Sequence, residues 1–280
     1  MNLNIIKSYA KINLALNVVG KSSKLHKIES LIAFLDFHDL ILLKKIKSKN
    51  HQVIFNGKFS KNINSNNTVS KLLKFLDENK IINKKFYIKI TKNIPQKAGL
   101  GGGSMNAASI LNFFIKKKII RVSDKQIYKI ASNVGSDVIL GLVNTNSVLT
   151  SRNKISRFKK CKKFFTLVVK PNFGCSTKAI YSQVKKFEKA RFLNPKREMF
   201  NLKFLKKMSN SLEKIAQIRY PKLKKIKSYL ENLNNPIFVR MTGSGSAIVS
   251  YYFSKKQCNE AQKKFKRDFK KYWCITSKTI

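Results

Sequence analysis

At 280 residues with 43% hydrophobic side chains, the chain can bury a substantial core and has the size of one large or two smaller domains. Lys7 and Lys11 interrupt the apolar positions between Met1 and Leu16, and no later window approaches the ~20 apolar residues of a membrane span; neither a leader nor a membrane partner is expected, and the location expected is cytoplasmic. The formal charge of +46 is spread along the whole chain among abundant Asn, Ile and Phe, which reads as A/T-rich codon usage in preference to a nucleic-acid footprint, so no specific nucleic-acid partner is expected, although the field would attract an anionic substrate.

Ile12, Leu14 and Leu16 alternate with polar or small neighbours, as a half-buried strand does, and Phe86, Ile88 and Ile90 repeat the pattern. Between them Asn67 stands as an N-cap before Val69, Leu72, Leu73 and Leu76, an apolar stripe at helical spacing. After a run of glycines, Ala107, Ala108, Leu111, Phe114 and Ile115 mark one face of a helix that starts near Ser104. Ser123 and Gln126 form a capping box for the next helix, striped by Ile127, Ile130, Ala131 and Val134. Gly135 suits its C′ position, so Ser136 and Asp137 fall in a turn.

Residues 152–163 are basic and without sustained periodicity, and a domain boundary is expected there, dividing the chain into 1–155 and 156–280. Beyond it the pattern gives a strand at 165–169, a long lysine-rich helical region, strands at 238–241 and 247–252, and a last helix carrying Ala261, Phe265 and Phe269. Both halves read as compact and α+β. Cys161, Cys175, Cys258 and Cys274 lack C-x-x-C spacing, and His26, His38 and His51 are scattered, so reduced cysteines and no structural metal are expected.

The stretch Pro95-Gln96-Lys97-Ala98-Gly99-Leu100-Gly101-Gly102-Gly103-Ser104-Met105 lies between a strand and a helix, where backbone N–H groups and the positive helix end can hold phosphate. Gly99, Gly101, Gly102 and Gly103 are more glycine than a turn needs, because each adds backbone entropy to be lost on folding. A Walker A motif would have Lys-Ser/Thr after the last glycine, where this chain has Ser104-Met105. A dinucleotide fingerprint would have its third glycine at Ser104, and the protein-kinase signatures H-R-D and D-F-G are absent.

The loop resembles motif 2 of the GHMP kinases, P-x-x-x-G-L-G-S/G-S/G-S. Tyr9-Ala-Lys-Ile-Asn-Leu14 resembles the N-terminal motif of that superfamily and Met241-Thr-Gly-Ser-Gly-Ser246 its C-terminal glycine motif, so the resemblance spans almost the whole chain. Ala10-Lys-Ile-Asn-Leu14, His26, Gly101-Gly-Gly-Ser104 and Gly135-Ser-Asp137 together are similar to the diphosphocytidyl-methylerythritol kinase branch. The resemblance implies an α+β GHMP kinase fold, with an N-terminal ribosomal-protein-like βαβ domain, a C-terminal ferredoxin-like domain and an active site in the cleft between them. It also implies a small-molecule kinase that moves the γ-phosphoryl group of ATP onto a 2-hydroxyl, accompanied by Mg²⁺ held mainly through phosphates and water.

Carried over by motif, Asp137 resembles the general base, and Lys11 the cation that orients it and stabilises the transferring charge. Residues 95–105 resemble the ATP-binding side, with Asn67 either a nucleotide contact or simply a helix cap, and Ser104 either a magnesium ligand or a first-turn cap. Asn13, His26, Thr177, Tyr181, Gly243 and Ser244 resemble substrate contacts. Leu25 stands where the family commonly has an aromatic residue against cytosine, which leaves Tyr181 as the expected stacking partner. Two rivals stay open: another GHMP kinase acting on a different alcohol, and a basic RNA-binding protein on a degenerate kinase fold. A monomer or homodimer is expected.

Overall fold

The computed structural model describes residues 3–22 and 25–280. The chain opens with three strands, β1 (Asn4–Lys21), β2 (His26–Ile46) and β3 (Gln52–Asn56), followed by α1 (Thr68–Glu78) and β4 (Lys85–Thr91). Two helices come next, α2 (Gly102–Lys116) and α3 (Asp124–Val134), and then a 3-10 turn at Val138–Leu142. After the strands β5 (Asn146–Leu149), β6 (Ile155–Phe158) and β7 (Phe165–Lys170) comes the short helix α4 (Thr177–Tyr181). A 3-10 turn at Arg197–Phe200 leads into α5 (Leu202–Lys206), α6 (Ser211–Arg219) and α7 (Pro221–Glu231). The chain closes with β8 (Phe238–Met241), β9 (Ile248–Tyr252), α8 (Lys255–Asp268) and β10 (Trp273–Lys278).

Two compact units emerge, and neither is a single stretch of sequence. The first gathers Met1–Lys11, Phe37–Pro95 and Gly101–Asn144; the second gathers Ile12–Asp36, Gln96–Leu100 and Thr145–Ile280. The divisions fall inside β1, inside β2, inside the glycine-rich stretch and just before β5.

In the first unit β4 lies between β3, parallel to it, and the later half of β2, antiparallel to it, with Ile41 opposite Ile90 and Leu43 opposite Ile88. The inward side chains of these strands meet the stripes of three helices: Leu72 and Leu76 of α1, Leu111 and Phe114 of α2, and Ile130 and Val134 of α3. Phe114 is fully buried and its ring lies 4.9 Å from that of Phe86. Truncating it to alanine would cost about 3–5 kcal/mol, since the cavity cannot collapse among so many neighbours. Both N-caps expected from the sequence are formed. Asn67 accepts from the N–H groups of Val69 and Ser70, and Ser123 accepts from Gln126, each completing a reciprocal capping box.

In the second unit the sheet order is β10-β7-β9-β8, all antiparallel, and its core joins Leu167, Val169, Ile248 and Tyr252 to Leu223, Ile226 and Leu230 of α7 and Phe265 of α8. The early half of β2 pairs with β5 through Ser30–Ile32, and β5 pairs with β6.

The lysine-rich helical region resolves into α4 to α7, because Asn201 and Asn210 each cap a new start and Pro221 sits in the first turn of α7, where its missing N–H is harmless. Three sequence expectations change. Helix α2 begins at Gly102, ahead of Ser104, since its first turn is made of glycines whose weak helix propensity hides the start. Gly135 ends α3 in an extended conformation, φ 171°, instead of the left-handed one that a C′ glycine takes. The basic stretch 152–163 also holds β6, whose side chains are all half-buried.

Candidate active site

Lys11 and Asp137 come together within the first unit. Lys11 lies in β1 with its side chain buried, and its ammonium nitrogen stands 3.2 Å from a carboxylate oxygen of Asp137, a side chain about one-third exposed at 34%. Asp137 occupies the turn after α3 and precedes the 3-10 turn, yet it makes no capping hydrogen bond there, so its carboxylate is turned to the lysine instead of to its own helix end. The turn is seated on the starts of α1 and α2: a Cβ on Gly135 would stand 3.8 Å from Thr68 Cγ2 and 3.9 Å from Ser104 Oγ.

The later half of the glycine-rich stretch approaches the same lysine. Gly101 is left-handed at φ 71°, caps α2 without any side-chain bond, and leaves the N–H groups of the first turn to outside partners. A Cβ on it would stand 2.7 Å from Lys11 Cγ. Beneath the loop lies a buried trio. Lys92 pairs with Asp39 and donates to Asn106 Oδ1 at 2.8 Å, while Asn106 donates to Asp39 Oδ2 at 3.1 Å. The other oxygen of Asp39 accepts from the N–H groups of Asn93 at 2.7 Å and Ile94 at 2.8 Å. One carboxylate thus ties the entry of the loop to the helix at its exit. Burial lowers the Lys92 pKa, an effect that the neighbouring Asp39 opposes.

The earlier half of the stretch is held within the second unit. The carbonyls of Lys97 and Ala98 accept from the N–H groups of Ser246 and Ala247 at 3.3 and 3.1 Å, and Thr242 Oγ1 reaches the Gly99 carbonyl at 3.2 Å. Gly99 is left-handed at φ 74°, and a Cβ there would stand 2.0 Å from the Thr242 carbonyl oxygen, which leaves room for glycine alone. Asn13 lies alongside: its N–H donates to Thr242 Oγ1 at 3.0 Å and its amide to Ser30 Oγ at 2.8 Å. Buried Asn210 donates to the carbonyls of Met241 and Gly243, both at 2.8 Å, and so fixes the second glycine motif.

Also in the second unit, Thr177 Oγ1 and Ser244 Oγ are 2.9 Å apart, and the His26 ring lies 5.1 Å from that of Tyr181. Burial first, and Lys21 second, lower the His26 pKa and favour the neutral imidazole. Leu25 is exposed. Asn67 uses its side chain in the α1 cap and donates to the carbonyls of Asn64 and Ser65. Pro95 and Met105, at the two ends of the stretch, are buried, and Gln96 is half-buried.

Sequence alone left Asp39, Lys92, Asn106, Thr68 and Asn210 unnamed. Asp39 and Asn106 carried a signal, a charged or amide group inside otherwise apolar elements; Lys92, just past β4, Thr68, just after a helix cap, and Asn210 carried none. Among the described residues no three His, Cys, Asp or Glu side chains gather as a metal site, and no helix is long and apolar enough to cross a membrane.

The family model described as GHMP kinases N terminal domain matches residues 67–146. The 4-diphosphocytidyl-2-C-methyl-D-erythritol kinase of Pelagibacter ubique (strain HTCC1062) is 58% identical over 281 residues, covering 100% of both chains. The protein of the same name from Caldicellulosiruptor bescii is 31% identical over 271 residues, 93% of each chain. Among solved structures, a 4-(cytidine 5'-diphospho)-2C-methyl-D-erythritol kinase superposes with a TM-score of 0.77 at 22% identity, over 98% of this chain and 99% of that one. Homoserine kinase from Cytophaga hutchinsonii follows with a TM-score of 0.73 at 14% identity, over 100% and 95%. Those structural likenesses establish the α+β GHMP kinase fold.

Proposed function

The chain belongs to the 4-diphosphocytidyl-2-C-methyl-D-erythritol kinase family of the GHMP kinases, and from that premise we infer how its residues carry the reaction. It is a kinase that uses ATP to phosphorylate 4-diphosphocytidyl-2-C-methyl-D-erythritol, a step of the non-mevalonate isoprenoid route. The observation that carries the residue assignment is the Lys11–Asp137 pair at 3.2 Å beside an uncapped, glycine-built helix start.

The 2-hydroxyl of the methylerythritol unit attacks the γ-phosphorus while the bond to the β,γ-bridging oxygen breaks, and ADP leaves. Asp137 is the group that receives the hydroxyl proton. An alcohol is a weak acid, so the proton moves late, after the loose transition state has formed, and Asp137 first orients the hydroxyl. Lys11 holds that carboxylate in place and offsets negative charge on the transferring group. The N–H groups of Gly102, Gly103 and Ser104 present donors at the positive end of α2, and residues 95–105 are the candidate phosphate-holding segment. The Asp39 trio ties the helix that carries these donors to the entry of the loop before ATP arrives.

Magnesium, if bound together with ATP, would supply charge neutralisation on the polyphosphate. The hydroxyls of Ser104, 3.9 Å from a Cβ built on Gly135, and of Thr68, 3.1 Å from a Cβ built on Gly103, would be hard oxygen donors of the kind the ion accepts. On the acceptor side, Asn13 is assigned to the methylerythritol unit, Leu25 and His26 to cytosine, Thr177 and Tyr181 to the far wall of the cytidine site, and Gly243 and Ser244 to substrate binding. Asn67 is assigned to shaping the nucleotide side through its helix cap. The division into 1–155 and 156–280, a cytoplasmic location, and a monomer or homodimer complete the proposal; limited proteolysis, fractionation and sedimentation test them in turn.

Phosphorus NMR of the product tests the reaction directly. A new phosphomonoester coupled to the 2-position, formed with one ADP per turnover, is the expected result. Phosphate on another hydroxyl, or ADP release without a phosphorylated alcohol, would overturn the assignment.

A further inference from the structure

Residues 182–196, between α4 and the 3-10 turn at Arg197–Phe200, form no helix or strand, yet they are pinned at definite points. The Glu188 N–H donates to the Val18 carbonyl of β1 at 2.8 Å. The N–H groups of Arg191 and Phe192 donate to the two carboxylate oxygens of Glu29 on β2, at 2.7 and 3.0 Å. Glu29 is fully buried, and its first oxygen also accepts from the Asn17 amide at 3.0 Å. A buried carboxylate with three donors is a strong fixture, because leaving any of those charges or N–H groups unpaired would be costly. Phe192, itself fully buried, adds an apolar anchor.

Phe187 immediately precedes the first of these pins. It is 48% exposed, and its ring centroid lies 6.4 Å from the His26 imidazole, which in turn lies 5.1 Å from Tyr181. A single exposed phenylalanine needs no explanation. One held on a fixed strap beside the His26 ring, with nearly half its surface exposed, does. The neighbouring Leu25, 69% exposed, is aliphatic and offers no π surface to match. Flat heteroaromatic rings bind where flat apolar faces are available, and they stack offset or tilted at such centroid distances.

Resting on the assignment of His26 and Tyr181 to cytosine, we propose that Phe187 is a further specificity-determining residue, whose ring supplies a stacking face for the pyrimidine of the acceptor. The strap pinned by Glu29 and Val18 keeps that ring in place, so little side-chain or loop freedom is lost when the base arrives.

Steady-state kinetics of Phe187→Ala, Phe187→Leu, Phe187→Tyr and Tyr181→Ala test this, reading KM for the cytidylyl acceptor and for ATP together with kcat. Phe187→Leu keeps most of the apolar volume and loses only the flat ring; Phe187→Tyr keeps the ring. The expected result is an acceptor KM raised about five- to tenfold in the alanine and leucine variants, with ATP KM and kcat within about twofold and the tyrosine variant near wild type. If the leucine variant keeps the wild-type acceptor KM while Tyr181→Ala raises it, Phe187 is not a stacking face although the cytosine site stands. If Tyr181→Ala also leaves the acceptor KM unchanged, the cytosine assignment itself fails and the proposal with it. Should the alanine variant not fold, the leucine and tyrosine pair still decides.

Discussion

Gly101→Ala should disable Lys11 without touching any charged group. A left-handed alanine at φ 71° costs about 1–2 kcal/mol of stability, a fall in Tm of a few degrees. The larger effect is on the site. The new Cβ would stand 2.7 Å from Lys11 Cγ, where ordinary contact starts at 3.4 Å, so the lysine must retreat by about 0.7 Å. Its side chain is buried and the clash falls near its base, so the chain cannot simply swing its tip aside. Misplacing a reacting group by ~1 Å can cost on the order of 100-fold, so kcat should fall about 30- to 100-fold. ADP release at saturating substrates measures it, with Gly20→Ala as the control, since a Cβ there would meet only Lys27, at an ordinary 3.7 Å. A double-mutant cycle gives the sharper test. On a Lys11→Met background Gly101→Ala should cost less than about threefold, because the group it displaces is already gone. Equal losses on both backgrounds, or a folded Gly101→Ala enzyme with kcat within threefold of wild type, would refute the route through Lys11.

Asp137→Asn should leave ATP affinity nearly unchanged and lower kcat by about 100-fold or more, read by ATP titration and single-turnover rates; retained turnover would remove it as the base. Gly102→Val should abolish ATP binding measured by calorimetry, because its side chain would press on Ile94, 3.2 Å from the new Cβ, at the start of α2, the proposed phosphate-holding end. Asp39→Ala should cost about 3–5 kcal/mol in urea denaturation by leaving Lys92 charged and buried; since the fold then favours the neutral amine more than the unfolded chain does, the unfolded state binds more protons and the deficit should shrink as pH rises. The acceptor KM should stay flat from pH 8 to about 6.5 and rise below, because the fold favours neutral His26 and protonation sets in only under its ordinary range; a rise already between pH 8 and 7 would contradict this.

Much of this was legible before the structure because helix starts are local chemistry. The caps at Asn67 and Ser123 depend on residues three apart, and both formed as read. The stripe Val69, Leu72, Leu73, Leu76 is buried as its spacing required. What escaped was non-local. β1 and β2 run through 18 and 21 residues, yet their buried positions include Asn13, Asn17, Glu29 and Ser30, polar residues that blur a period of two and find their partners on other strands or segments. Asn210 reaches carbonyls of the second glycine motif, and Glu29 reaches residues 191 and 192; no spacing announces either contact. At the candidate site the glycines and the Gly-Ser-Asp turn were visible, and the 3.2 Å approach of Lys11 to Asp137 gives their pairing a geometry. Phe187 was invisible because its place comes from pins on an irregular strap.

The most direct measurement is the ratio of kcat/KM for 4-diphosphocytidyl-2-C-methyl-D-erythritol to that for uncytidylated methylerythritol phosphate, with homoserine and mevalonate in the same ATP-dependent ADP-release assay. The account predicts turnover of the cytidylyl compound with a preference of at least about 100-fold over each of the others, as a lost base-binding site implies. Comparable turnover of methylerythritol phosphate, or a preference for homoserine or mevalonate, would contradict it.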